Sequence, residues 1–103
     1  MNHYASSEER ARVIAGLRDL MDFLDRNPQV PAPCFIDLFV FPPSGSDAEM
    51  FAEIDVIAEH IGTTASDADS PAGHYSAVRS FGPVLYRAVA IPQAARHKDE
   101  GTE

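Results

Sequence analysis

The sequence contains one cysteine, one lysine and no tryptophan. Because Cys34 has no second cysteine to pair with, a disulfide within the chain is excluded, and such usage is typical of a reducing, cytoplasmic compartment. Sixteen acidic residues against eight basic ones leave a formal charge of −8, and the arginines form no cluster. Phosphate backbones would be repelled by this charge, so we expect no direct binding to nucleic acid.

Long hydrophobic runs are also missing. No segment approaches the ~20 apolar residues that cross a bilayer. The first ten residues have neither the basic region nor the apolar core of a signal peptide. We therefore expect no contact with a membrane. At 103 residues the chain can bury a core without a disulfide or a metal ion, and we expect a single domain.

Motifs that hold metals, phosphates or nucleophiles are absent. The histidines and the cysteine show no H-x-x-x-H or C-x-x-C spacing, and the glycines form no phosphate loop, so we predict no metal and no cofactor. Cys34, Asp37 and His74 would form a nucleophilic site only within hydrogen-bond reach of one another. The first two point to opposite faces of a predicted strand. We therefore expect a protein that is not an enzyme, with Cys34 as a small packed side chain.

The most apolar segment is C-F-I-D-L-F-V-F, residues 34–41, which is followed by two prolines. Its length and its β-branched and aromatic side chains are typical of a strand, which we predict to be the central strand of a small sheet. Because side chains alternate across a strand, both of its faces are largely apolar. One face carries Cys34, Ile36, Leu38 and Val40, and the other carries Phe35, Asp37, Phe39 and Phe41.

Two amphipathic helices flank this strand. Each is predicted to begin at a capping box, S-S-E-E from Ser6 and S-D-A-E from Ser46. Apolar residues then recur at steps of three and four, from Val13 to Leu24 and from Met50 to Ile61. An N-P dipeptide is expected to end the first helix, and a glycine is expected to cap the second.

The last third of the chain is predicted to contain a loop and a hairpin. Residues 63–73 have no apolar anchor, which favours a mobile loop. Residues 74–81 and 84–91 flank Gly82-Pro83 and are predicted to pair as antiparallel strands. One hairpin face carries Val78, Leu85, Val89 and Ile91, with His74, Ser76 and Arg87 near its edges. The other carries Tyr75, Ala77, Arg79, Tyr86 and Ala88, with Val84 and Phe81.

The order helix, strand, helix, strand, strand predicts an α+β fold. We expect a two-layer αβαββ domain in which a three-stranded sheet carries both helices on one face. Its predicted limits are residues 6–92, between a flexible N-terminus at residues 1–5 and a disordered acidic and polar tail at residues 93–103. The second face of the sheet would then be open.

The residues predicted on this open face are mostly aromatic. Exposed aromatic side chains grouped in this way are typical of an interface, which a symmetric homodimer would bury. Asp37 and Arg79 are expected to pair across strands. The reverse assignment, with the aromatic residues beneath the helices, stays open, as does a face covered by the chain's own prolines or long loop. The predicted interface residues are Phe35, Asp37, Phe39, Phe41, Tyr75, Arg79 and Tyr86.

Two segments carry a resemblance, L-R-D-L-M-D-F-L-D-R-N-P-Q-V-P-A-P at residues 17–33 and R-S-F-G-P-V-L-Y-R-A-V-A-I at residues 79–91. The first resembles the opening of short uncharacterised proteins from actinobacteria and their phages. In these proteins an amphipathic helix ends near N-P and is followed by x-[VL]-P-x-P and a strand. The second segment is similar to their closing hairpin. The resemblance implies no activity, cofactor or site residue.

These observations favour a non-enzymatic protein–protein interaction module, an accessory or regulatory protein that self-associates or docks a protein partner through the aromatic face. An alternative is an acidic inhibitor of phage or mobile-element type, a nucleic-acid mimic whose carboxylates block a cationic site on a nucleic-acid enzyme. A third hypothesis is a small-ligand binder or enzyme with a pocket between the 63–73 loop and the strand ends. His74, Tyr75 or Arg79 would line that pocket.

Overall fold

The computed structural model describes residues 4–67 and 73–93, in the order helix, strand, helix, strand, strand. This confirms the predicted α+β class and the αβαββ order. Residues 94–103 of the predicted tail and residues 1–3 of the predicted flexible N-terminus lie outside the described residues, whereas Gln93, the first residue of the predicted tail, is described. The elements are α1 Ser7–Arg26, β1 Ile36–Val40, α2 Asp47–Ile61, β2 Tyr75–Phe81 and β3 Val84–Ala90.

The chain divides into two compact units. Residues 5–34 form one, which we call the helix unit because it contains α1. The described residues from 35 to 93, together with Tyr4, belong to the other, which we call the sheet unit. The expected packing of α1 on the same sheet face as α2 stays a prediction.

The helix unit follows its local sequence signals closely. Ser6 Oγ accepts a hydrogen bond from the Glu9 backbone N–H at 3.1 Å, and Glu9 Oε1 accepts one from the Ser6 N–H at 2.9 Å. This is the predicted capping box, which satisfies N–H groups that have no partner inside the helix. At the other end Asn27 donates its side-chain amide to the Phe23 carbonyl at 2.8 Å. No residue of α1 is buried.

The second helix has the same start and a different end. Ser46 and Glu49 form the predicted capping box, with distances of 2.9 and 3.1 Å. Gly62 takes the left-handed conformation at φ 77°, and its N–H caps the carbonyls of Ala58 and Glu59. A residue with a side chain is strained in this conformation, so glycine is the favoured end of the helix.

The sheet has the order β1-β3-β2, so β3 is its central strand and β1 lies at an edge. The prediction that residues 34–41 form the central strand is therefore wrong. β3 pairs antiparallel with β2 through the Gly82-Pro83 turn, as predicted, and parallel with β1 on its other side. An apolar strand can belong to an edge when its exposed side chains meet another surface, and apolarity alone does not determine strand order.

The core of the sheet unit lies between α2 and one face of the sheet. Met50, Ile54 and Ala58 of α2 are buried against Ala77 of β2 and Ala88 of β3, and Ile54 is completely enclosed. The small alanines let the helix approach the sheet closely. Around this centre lie partly buried side chains, namely Val40, Phe51, Ile57, Ile61, Ala65, Tyr75 and Tyr86.

The start of the predicted mobile loop is anchored to the sheet. Ser66 and Ser76 exchange two backbone hydrogen bonds of 2.9 and 3.0 Å, which form a short antiparallel bridge beside β2. Ala65 packs against the core. The expectation that residues 63–73 lack an apolar anchor is therefore wrong for the described part of this segment, while residues 68–72 lie outside it.

Candidate functional site

The parallel register between β1 and β3 decides which side chains share a face. Leu38 lies beside Tyr86, and Phe39 lies beside Arg87. Because paired residues in neighbouring strands point to the same side, Leu38 shares the α2 face with Tyr86, while Phe39 and Arg87 share the opposite face. Among the described residues of the sheet unit, α2 is the only element that is an α-helix. The face opposite α2 therefore carries no helix element from the described part of that unit.

The seven predicted interface residues therefore divide between two faces. Asp37, Phe39 and Phe41 line the face opposite α2, as predicted. Tyr75 and Tyr86 pack around the core beneath α2, so their predicted place on the open face is wrong. Arg79 lies on their side of β2, since residues 75, 77 and 79 share one face. Phe35 precedes β1 and is 61% exposed. Whether any of the seven forms an interface stays a prediction.

A concave site of about 600 Å³ lies on the face opposite α2, and we call it the sheet cavity. All of its lining residues belong to the sheet unit. Val89 is buried at its base, whereas Phe39 is 52% exposed. The apolar lining is formed by Phe39, Phe41, Val78, Val89 and Ile91, and the polar lining by Asp37, Thr64, Ser66, His74, Ser76 and Arg87.

An ion pair between Asp37 and Arg87 supplies the charges of the sheet cavity. Arg87 Nε lies 3.1 Å from Asp37 Oδ1, and Arg87 Nη2 lies 3.2 Å from Asp37 Oδ2, so the pairing is bidentate. Both side chains are partly buried, with exposed fractions of 29% for Arg87 and 23% for Asp37. The Arg87 guanidinium also lies 5.7 Å from the centre of the Phe39 ring. Charge pairing of this geometry fixes both side chains and neutralises the site.

The predicted partner of Asp37 was Arg79, and that prediction is wrong. Arg79 donates from Nη1 to the Ile61 carbonyl at 3.3 Å and lies over the Phe81 ring at 5.0 Å. Arg87 is the partner of Asp37 instead, because the register of β1 and β3 puts these two residues on neighbouring positions of one face.

Two aromatic rings define one wall of the sheet cavity. The rings of Phe39 and Phe41 lie nearly parallel, at 6.1 Å between centres and 6° between planes. They are two residues apart, so both point to the same side of the strand. Stacked rings present a flat apolar surface at a small cost in side-chain entropy when a partner binds.

The tyrosines that were expected on this surface are held by α2 instead. Tyr75 donates its hydroxyl to Asp55 Oδ1 at 2.6 Å, and its ring stacks on Phe51 at 4.8 Å between centres. The hydrogen bond to Asp55 raises the pKa of Tyr75, because the neutral hydroxyl is the donor. Tyr4 donates to Glu53 at 3.1 Å, and burial, followed by the charge of Glu53, raises the pKa of Tyr4.

Most acidic side chains of α2 hold structural hydrogen bonds. Glu49 caps the helix, Glu53 and Asp55 accept from the two tyrosines, and Asp47 accepts from the Gln93 N–H at 2.8 Å. Carboxylates engaged in this way stabilise the fold. They give no support to a surface of free acids that would mimic nucleic acid, and that alternative stays a prediction.

Cys34 is exposed and lies ahead of β1, so the expectation of a packed side chain is wrong. Of the three residues predicted to line a pocket, His74 lines the sheet cavity, while Tyr75 and Arg79 do not. Over residues 4–67 and 73–93, no three side chains of histidine, cysteine, aspartate or glutamate are grouped to hold a metal ion. No helix in those ranges has the length and apolarity to cross a membrane.

The lining residues that were not predicted as site residues are Thr64, Ser66, Ser76, Val78, Arg87, Val89 and Ile91. Alternation in the hairpin did place the three aliphatic residues on one face. The missing signal was the register of β1, which no local pattern encodes. Comparison with protein-family models, with curated proteins and with solved structures finds no match for this chain.

Proposed function

We propose that this protein is a non-enzymatic protein–protein interaction module whose contact surface is β1 together with the sheet cavity. The observation that carries the proposal is the exposed Phe39, stacked on Phe41 at the wall of a concave apolar site. Apolar side chains of this size, exposed together in a concavity, are typical of a binding surface. The cytoplasmic location and the kinship with actinobacterial and phage proteins stay predictions.

The Asp37–Arg87 pair supports recognition of an apolar segment rather than of a charged one. The pair is already complete within the chain, because Arg87 Nε and Nη2 both donate to the Asp37 carboxylate. A charged ligand would have to compete with that contact, whereas an apolar side chain can fill the site and leave the pair intact.

The proposal is tested with three tagged proteins, the wild type, Phe39→Glu and Val56→Glu. Val56 is an exposed apolar residue of α2, so its substitution is a matched control for added charge. Each protein is incubated with an extract of the organism that encodes it, and the bound proteins are quantified by mass spectrometry. We expect at least one protein, which can be a copy of this chain, to be retained by the wild type and Val56→Glu and lost by Phe39→Glu. Identical profiles for three folded proteins would refute the proposal.

A small-ligand binder is the second candidate, and the volume of the sheet cavity favours it. About 600 Å³ lies within the range of small-molecule sites. A panel of small apolar compounds would be screened by thermal shift with the wild type and with Val78→Trp, which fills the site. A shift that appears with the wild type and not with Val78→Trp would support this function. If no compound shifts the unfolding temperature of the wild type, the small-ligand function is refuted.

A further inference from the structure

We propose that β1 pairs antiparallel with β1 of a second copy, about a two-fold axis through Leu38, so that two sheet units form one six-stranded sheet. This inference rests on the proposed function, because it takes β1 as part of the contact surface and names the partner as this same chain.

The outer edge of β1 has no strand beside it within residues 4–67 and 73–93, since β1 pairs there only with β3. The Ile36 N–H donates to the Pro83 carbonyl at 3.0 Å. Residues 36, 38 and 40 therefore direct their backbone groups towards β3. Because successive residues alternate, Asp37 and Phe39 direct their N–H and C=O groups outwards. A row of outward backbone groups is a template for another strand.

The side chains of β1 are exposed on both faces of the sheet. Leu38 is 40% exposed on the α2 face, and Phe39 is 52% exposed on the opposite face. A partner on a single face would leave one of the two in water. A strand added at the edge brings neighbouring side chains to both faces, so edge pairing accounts for both exposures.

The residues of β1 lack two features that keep edge strands apart in monomers, lysine and proline. Such strands are commonly protected by lysine, by proline or by a charge that points inwards. The strand I-D-L-F-V contains neither lysine nor proline. Its one charge, on Asp37, is neutralised by Arg87 of the same chain. The edge is therefore apolar, and no strand of the described residues of the sheet unit pairs with it.

Self-pairing requires a register in which β1 matches itself. When two copies of a strand pair about a two-fold axis within one sheet, residues that face each other must point to the same side of the sheet. The axis therefore passes through a residue and not between two residues, and the central choices are Asp37, Leu38 and Phe39. An axis through Asp37 sets two carboxylates face to face, which is unfavourable. An axis through Phe39 sets Phe35 opposite Pro43, which has no N–H to donate.

The axis through Leu38 avoids both problems. It sets Leu38 opposite Leu38 of the second copy, Asp37 opposite its Phe39, and Phe35 opposite its Phe41. Every outward residue from 35 to 41 then meets a residue that can both donate and accept. Phe35, Ile36 and Leu38 then meet apolar residues of the second copy, Phe39 meets its Asp37, and the two aspartates stay apart. Because β1 can pair with itself in this register, a second copy of the chain is the partner that fits the edge.

The first experiment tests the register by disulfide formation. In a Cys34→Ser background, Leu38→Cys and Val40→Cys are each exposed to a mild oxidant. At a non-hydrogen-bonded pair on the axis the two Cα atoms lie roughly 4.5 Å apart, close to the range that a disulfide spans. Two copies of residue 40 would lie about 14 Å apart along the strands. We expect covalent dimers from Leu38→Cys at a rate at least tenfold above that of Val40→Cys. Equal rates would overturn the register.

The second experiment measures mass in solution by light scattering over a range of concentrations. We expect a dimer for the wild type and for Val56→Lys, and a folded monomer for Leu38→Lys, which sets two ammonium groups on the axis. A wild-type monomer at all concentrations overturns the second copy as partner. If Phe39→Glu nevertheless loses a bound protein from the extract, the proposed function stands with a different occupant. The opposite outcome is also defined. If Leu38→Lys abolishes the dimer, but Phe39→Glu retains every protein that the wild type retains, including a second copy, the proposed function fails while the inference on β1 stands.

Discussion

The helix unit and the sheet unit begin their helices with the same chemistry, yet only one of them buries its helix. Both α1 and α2 start at a serine that exchanges hydrogen bonds with a glutamate three residues later. α1 has 20 residues and none is buried, whereas α2 has 15 and buries Met50, Ile54 and Ala58. Local signals are therefore sufficient to begin a helix, whereas the burial of α2 comes from its contacts with β2 and β3, which lie later in the chain.

The largest expected effect tests this difference in burial. Ile54→Ala removes a fully enclosed side chain from the sheet unit and should lower the free energy of unfolding by about 2–5 kcal/mol. Leu17→Ala removes an exposed side chain of α1 and should cost about 0.5 kcal/mol. Urea denaturation followed by circular dichroism measures both. Losses of equal size would show that α1 is buried in solution, and the contrast between the units would disappear.

The next prediction compares an ion pair from each unit. Arg87→Gln leaves the Asp37 carboxylate without its bidentate partner in a partly buried site, and should cost about 1–3 kcal/mol. Arg26→Gln in α1 breaks an exposed pair with Asp22 and should cost at most about 0.5 kcal/mol. The control is Asp37→Asn combined with Arg87→Gln, which should lose less than the sum of the two single changes. Additive losses would contradict a coupled pair.

Replacing glycine by alanine should change stability in opposite directions at two positions of the chain. Gly62 has φ 77°, so Gly62→Ala should destabilise the protein by about 1 kcal/mol although no atom obstructs the new methyl group. Gly16 lies within α1, also with open space around it, and Gly16→Ala should stabilise α1 by about 0.5–1 kcal/mol. Thermal unfolding of the two variants checks the signs. A stabilising Gly62→Ala would mean that the helix ends differently in solution.

The smallest expected effect is a pH dependence of the stability that the Tyr75–Asp55 hydrogen bond between β2 and α2 contributes. The folded-state pKa of Tyr75 is raised above 10.0 by its hydrogen bond to Asp55. The stability from this bond is therefore fully present below pH 10 and is lost as the pH rises through the folded pKa. Tyr75→Phe should be less stable than the wild type at pH 8, and the difference should shrink above pH 10. A difference that is constant over this range would exclude the hydrogen bond as its cause.

Much of the fold was predictable because its signals are local. The two capping boxes, the glycine at the end of α2 and the Gly82-Pro83 hairpin each depend on a few neighbouring residues. The alternation within each strand was also predictable, since it follows from backbone geometry. Those signals were sufficient for the class, the order of the elements and the facing of Phe39 relative to Asp37.

The candidate site was only half predictable, because it depends on how β1 meets the hairpin. Asp37, Phe39 and Phe41 were assigned correctly to one face, while Tyr75 and Tyr86 were assigned to it wrongly. A shift of one residue in register moves every side chain to the other face, and no residue near β1 reports which register is formed.

The sequence by itself determined where each helix begins, which residues alternate within a strand and how the hairpin turns. Only the tertiary structure decided that β3 is central, that Arg87 rather than Arg79 pairs with Asp37, and that a cavity opens opposite α2. The physical reason is the range of the interactions. Caps and turns are satisfied within four residues, whereas strand order and register are selected by burial and hydrogen bonding between segments some fifty residues apart.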